Sequence, residues 1–267
     1  MKTAITLGLW GDLWRKHNKP YDWKEAAKEA AAAGYEGVEI GGGEESLGPA
    51  GQVRDYLDSL KLDIAAFFVS VTYNPHPPNT ESYQKAMRYA AQLGVKTLSC
   101  CGGFMPNARR NTYPSDYDMF AGNFGKAMRH ANKYGQQIAF HPHIGSIVET
   151  IAETRKMINR LPDFKILIDT AHLEAAGEDT GAFIRAFGKR IIATHIKDFS
   201  WKKYSFVEPG KGDGKLDVAD SVRQLARAGY DGWLTIELDK RWDKFGDIPQ
   251  PLDVAVGCRK FLRKCGY

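Results

Sequence analysis

Short apolar or β-branched runs alternate with Ala/Lys/Glu/Arg-rich stretches along the whole 267-residue chain. No other feature limits the fold as strongly. The candidate strands are Ala4–Trp10, Gly37–Ile40, Asp63–Val71, Lys96–Cys100, Gln137–His141, Lys165–Asp169, Ile191–Ile196 and Trp233–Leu238. Helical stretches follow them near 23–33, 51–60, 80–93, 115–134, 149–160, 180–187, 217–228 and 250–264. Parallel strands need helical crossovers, and eight such units close into a barrel at roughly 250 residues. An open doubly wound sheet would instead carry a Gly-rich dinucleotide turn after its first strand, and Trp10-Gly11-Asp12-Leu13-Trp14 is not one. The expected fold is therefore α/β, a (β/α)8 TIM barrel forming one domain over residues 1–267.

Two segments share one loop chemistry: Ala33-Gly34-Tyr35-Glu36-Gly37 and Ala228-Gly229-Tyr230-Asp231-Gly232. Each offers a Gly for the position after a helix and an acidic-Gly turn into a strand. No linker or composition break divides the chain. The 37 Lys and Arg exceed the 32 Asp and Glu by only five and are scattered, which argues against nucleic acid as a partner. Four cysteines, two of them the adjacent Cys100 and Cys101, suit neither a disulfide framework nor a CxxC metal site. The N-terminal apolar run is too short for a secretory leader, and no run reaches membrane-span length. A reduced, cytoplasmic protein without membrane attachment is expected.

In a parallel barrel, reactive groups collect at the C-terminal ends of the strands. Strand five leads into His141-Pro142-His143 and on to Glu149-Thr150; strand six ends in Asp169-Thr170-Ala171-His172. Strand seven ends in His195-Ile196-Lys197-Asp198 and strand eight in Glu237-Leu238-Asp239. Taken singly, Asp169 reads equally as a helix N-cap and His195 as a core histidine. A carboxylate such as Glu237 is too costly to bury unpaired after an apolar run. Together, Asp169, His195 and Glu237 end three successive strands on one rim, as a divalent metal requires.

These motifs resemble the metal-site motifs of the xylose-isomerase-like barrels, the sugar isomerase/epimerase superfamily that also contains endonuclease IV. The segment His141-Pro142-His143-x-Gly-x-x-Val148-Glu149-Thr150 resembles the branch with inosose dehydratase and related epimerase-like proteins. The likeness extends over essentially the whole chain. It implies a divalent metal, Mn²⁺ first with Mg²⁺ or Co²⁺ as alternatives, held by Asp169, His195, Glu237 and a strand-five ligand. That ligand is assigned to Glu149, with His143 and His141 as open rivals. The implied substrate is a keto-sugar or sugar derivative, chelated at the metal and converted through an enediolate.

Glu149 and Glu237 are the candidate bases for epimerisation, and His143 and His172 the candidates for protonating a departing β-hydroxyl. His141, Lys197 and Trp10 are the candidate substrate-binding residues. For Lys197, a solvated strand-end lysine or an ion pair with Asp198 is an equal alternative. The first expectation is a metal-dependent sugar isomerase or epimerase. The alternative is a lyase of the inosose dehydratase or keto-C-glycoside-cleaving type, and a homo-oligomer or a small second subunit is left open. A remote alternative, an endonuclease IV-like nuclease, lacks the additional His and Glu ligands. A non-catalytic barrel leaves the full ligand set without a purpose. Three lesser features remain: the Gly-rich rim loop 208–214, aromatics including Trp14, Phe67, Phe68, Tyr73 and Trp201, and the loop histidines His17 and His76.

Overall fold

A computed structural model describes residues 1–71, 80–104, 112–239, 242–244 and 246–267; Tyr73 and His76 lie outside them. The strands are β1 (Lys2–Thr6), β2 (Gly37–Gly41), β3 (Asp63–Val71), β4 (Thr97–Gly102), β5 (Gln137–Phe140), β6 (Lys165–Asp169) and β7 (Ile191–Ile196). After these come a short antiparallel pair, β8 (Asp198–Ser200) with β9 (Ser205–Val207), and then β10 (Trp233–Ile236). Eight parallel pairings close the eight-stranded barrel: six join β1 to β7 in chain order, and two seat β10 between β7 and β1. The (β/α)8 expectation is met.

Local sequence explains the repeat. Strands such as Lys165-Ile166-Leu167-Ile168-Asp169 are apolar on both faces because one packs the barrel interior and the other the helices. Between β5 and the surrounding helices, Phe120 and Phe124 of α6 (Pro114–Asn132) pack on Phe140 and Phe164 with ring centroids 5.3–5.8 Å apart. All four are fully buried, each contributing on the order of 2–3 kcal/mol. At the two look-alike loops Gly34 and Gly229 take φ of 90° and 83°, and Tyr35 and Tyr230 donate back to Ala30 and Leu225. Both turns close their helices as the sequence implies.

The first strand departs from expectation. It ends at Thr6, and Gly8–Lys16 form helix α1. Leu9, Trp10, Leu13 and Trp14 recur at helical spacing and are all buried. Within a short apolar run, strand and helix look alike until the spacing over the next turn is counted. Trp10 consequently leaves the rim. It is fully buried, its indole N–H donates to Glu29 Oε2 at 2.6 Å, and it forms no substrate-binding wall.

Candidate active site and metal centre

The register of the strands sets the site. Asp169 lies level with His195 across β6 and β7, and His195 lies level with Thr235 on β10, two residues before Glu237. Three adjacent strand ends thus deliver an imidazole between two carboxylates.

Asp169 serves two purposes with its two oxygens. Oδ1 accepts from the backbone N–H groups of Ala171 and His172, each at 3.0 Å, and caps the short helix α8 (Thr170–Ala175). Oδ2 is left facing Lys197 Nζ at 2.9 Å and His141 Nε2 at 3.3 Å. The cap and ligand readings of this residue are compatible.

Lys197 is fully buried at the centre of the group, and its ammonium pairs with Asp169, Glu237 and Asp239, the last at 2.9 Å. Asp198 is not its partner; that carboxylate accepts from the N–H groups of Phe199 and Gly210. The ring of His195 lies 2.9 Å from Glu39 Oε2 through Nε2 and 3.0 Å from Glu237 Oε2 through Nδ1. Beside them stand His141, His143 and His172, with His143 and His172 stacked at 3.8 Å and His141 edge-on to His172 at 4.9 Å. Phe206 of β9 covers His172 at 4.4 Å. Glu237 and Asp239 also line a cavity of about 300 Å³ with Thr6, Glu39 and Phe68.

The family model for the xylose isomerase-like TIM barrel matches residues 27–265. The chain belongs to that family. Among curated relatives, an inosose dehydratase of Lacticaseibacillus casei (strain BL23) is 25% identical, with 98% of this chain and 96% of the relative covered. Among solved structures, the protein IolI with a binding zinc atom superposes with a TM-score of 0.79 at 16% identity, covering 99% and 98% of the two chains. A D-allulose 3-epimerase from Methylomonas sp. superposes at 0.75 and 17% identity, again covering 99% and 98%.

In this xylose isomerase-like barrel the electrostatics follow from burial and mutual charge. Burial opposes ionisation of Asp169 and Glu237, but the Lys197 ammonium and neighbouring imidazoles hold both carboxyls well below their ordinary range. Burial likewise opposes the charged forms of Lys197 and His195. The carboxylates around them prevail and raise both well above their usual values. At His141 burial outweighs the support of Asp169, and at His143 burial is joined by the neighbouring imidazoles; the two are driven down to about 4 and about 3, so both are neutral imidazoles at neutral pH. Burial pushes the Cys101 thiol up to about 12, assisted by Glu237.

The residues fit a divalent metal. His141 Nε2, Asp169 Oδ2, His172 Nε2 and His195 Nδ1 are buried and lack aligned hydrogen bonds among the described residues. One donor atom from each of His141, Asp169, His172 and Glu237 falls within 4.8 Å of the others. Asp169 Oδ2 has the Lys197 ammonium beside it, whereas buried imidazole nitrogens left in this way are expensive unless a cation or ligand completes them.

Of the residues singled out from sequence, Asp169, His195, Glu237, Lys197, His141, His143 and His172 come together. Glu149 is not in this donor group among the described residues. It precedes Thr150, the N-cap of α7 (Ile151–Arg160), and its Oε1 accepts from the N–H of Gly145 at 2.5 Å. The rim loop 208–214 is strapped to the β8–β9 hairpin: Asp213 accepts from Ser200 Oγ and from the N–H of Trp201. Sequence reasoning missed Glu39 and Asp239. The test that exposed Glu237, a carboxylate beside an apolar run, applies equally to Glu39, and Asp239 lies two residues beyond Glu237, past the end of β10.

Proposed function

We propose that this chain is a divalent-metal-dependent enzyme that removes the proton beside the carbonyl of a keto-cyclitol or keto-sugar. The resulting enediolate then loses water. The observation that carries this reading is the wall of three imidazoles beside Asp169, His195 and Glu237. The chain-long similarity to inosose dehydratases supports it.

Asp169, His195 and Glu237 are the residues that would hold the ion, with His141, its Nε2 3.3 Å from Asp169 Oδ2, as a further donor. We take the ion to be Mn²⁺. When bound, a divalent ion supplies Lewis-acid stabilisation of the negative charge that develops on the ketone oxygen.

The two stacked histidines divide the proton chemistry, because Ile144 sets their tautomers. His143 Nδ1 lies 2.6 Å from the Ile144 carbonyl oxygen and must donate to it, which leaves Nε2 as the lone-pair nitrogen. His172 Nδ1 accepts the N–H of Ile144 at 3.2 Å, which places its proton on Nε2. His143 is then the base that takes the α-proton, and His172 Nε2–H is a neutral donor to a substrate oxygen. The C–H electron pair becomes the enediolate. It then moves into a new C=C bond as the β C–O bond breaks, and the departing hydroxyl takes the proton that His143 carried. Lys197 remains an ammonium and orients a substrate oxygen at the carboxylate cluster.

Epimerisation stands second. It shares the enediolate but needs a base on the opposite face, a role assigned from sequence to Glu149, whose Oε1 is engaged with Gly145.

Mn²⁺-loaded protein incubated in D2O with an inosose, ketohexoses and 3-keto-glycosides, followed by ¹H NMR, tests the reading. Deuterium beside the carbonyl and an unsaturated or dione product are expected with one of these ketones. An epimer alone would support the second reading, and no exchange with any of them would sink both.

A further inference from the structure

Glu39 is a carboxylate on β2, 5% exposed, flanked by the buried Val38 and Ile40, and the chemistry above gives it no task. Burying such a group is costly, and an apolar residue of similar volume is often no worse for stability. Its contacts are specific. Oε1 accepts from Ser99 Oγ of β4 at 2.6 Å, and Oε2 lies 2.9 Å from His195 Nε2 of β7. A three-residue chain therefore crosses the barrel interior and ends on the imidazole that faces Asp169 and Glu237.

We infer that Glu39 is a positioning residue that turns His195 Nδ1 toward the divalent ion, with Ser99 holding Glu39 in place. This rests on the reading that Asp169, His195 and Glu237 bind that ion. A neutral imidazole has one N–H, and the carboxylate beside Nε2 keeps it there. Nδ1 then carries a lone pair directed at Glu237 Oε2, 3.0 Å away, and Asp169 Oδ2, 3.8 Å away. The Lys197 ammonium lies against both of those oxygens, and Nδ1 meets them through a proton in the metal-free protein or through the ion when it is bound. Glu39 thus selects which nitrogen is offered, fixes the ring plane, and strengthens Nδ1 as a donor.

Isothermal titration of the metal-free protein with Mn²⁺ and with Zn²⁺ tests this, using wild type, Glu39→Gln and Ser99→Ala. Glu39→Gln retains an acceptor for His195 and a donor for Ser99 but removes the charge. It should weaken metal binding roughly 10- to 100-fold, while its melting temperature in EDTA stays near that of wild type. Ser99→Ala, which leaves every charge in place, should weaken binding by a smaller factor and carries the test if Glu39→Gln fails to fold. In the Zn²⁺-loaded ¹⁵N-histidine protein, long-range ¹H–¹⁵N spectra should show His195 ligated through Nδ1 and protonated at Nε2. Unchanged metal affinity in both variants, or His195 ligated through Nε2, would overturn the assignment and leave Glu39 a structural brace. Absence of divalent binding by wild type would instead bring down the metal reading itself.

Discussion

His143 and His172 stack with centroids 3.8 Å apart, yet they hold their protons on different ring nitrogens because both bond to the backbone of Ile144. The pair is therefore chemically asymmetric, and the two alanine variants should differ. His143→Ala should abolish α-proton exchange with D2O, a loss of roughly 10²- to 10⁴-fold for a missing base. His172→Ala should retain exchange while losing more of the elimination step. Proton NMR on one ketone reads both rates, and equal loss of exchange in the two variants would remove the division of labour.

Asp169 predicts a separation between stability and metal binding. Asp169→Asn keeps a side-chain oxygen for the N–H groups of Ala171 and His172 but removes the charge facing Lys197 and His141. Asp169→Ala removes the cap as well, at a further cost of about 1 kcal/mol. Both variants should lose bound metal by elemental analysis, and Asp169→Ala should melt below Asp169→Asn in EDTA. Equal melting temperatures would mean that the cap contributes nothing.

The limits of legibility in the sequence have physical causes. Lys165–Asp169 and Ile191–Ile196 are readable to the residue, because doubly buried strands are short apolar runs bounded by polar ones. Leu7–Trp10 misleads, since the same apolar residues continue from a strand into a helix. The six-residue helix Thr170–Ala175 has no periodicity long enough to read, and its start is marked only by Asp169, which sequence reasoning spent on the site. Asp169, His195 and Glu237 could be grouped because each ends a strand. Glu39 escaped because it sits mid-strand, and its partners, Ser99 and His195, are 60 and 156 positions away.

Acid should weaken the metal-free fold well before its carboxylates titrate. His141 and His143 are depressed to about 4 and about 3, whereas an unfolded histidine titrates near 6.5. Between those values the unfolded chain binds protons that the native state refuses, so native stability falls as pH drops from about 6.5 toward 4. His195 works in the opposite direction: its raised value contributes stability below about 6.5 that is lost as pH climbs through its folded value. For the fully buried His141 the acid-side effect is on the order of 3 kcal/mol. Denaturant unfolding in EDTA at steps between pH 4.5 and 6.5, below the range in which His195 acts, should show stability rising with pH, and His141→Gln should flatten the slope. A wild-type profile level over that range would refute the assignment of neutral imidazoles.

Lys197 predicts a defect that metal repairs. Its ammonium is the positive charge shared by Asp169, Glu237 and Asp239, and no part of it is exposed. Lys197→Met preserves the volume but leaves those carboxylates facing one another, and breaking a buried pair in this way costs roughly 3–5 kcal/mol. In a chain of this size that corresponds to a fall in melting temperature of roughly 10 °C. A divalent ion bound by Asp169 and Glu237 supplies the missing charge and stabilises by mass action. Saturating Mn²⁺ should therefore raise the melting temperature of Lys197→Met by more than it raises that of wild type. Equal increments in the two proteins would show that Lys197 and the ion do not answer to the same carboxylates.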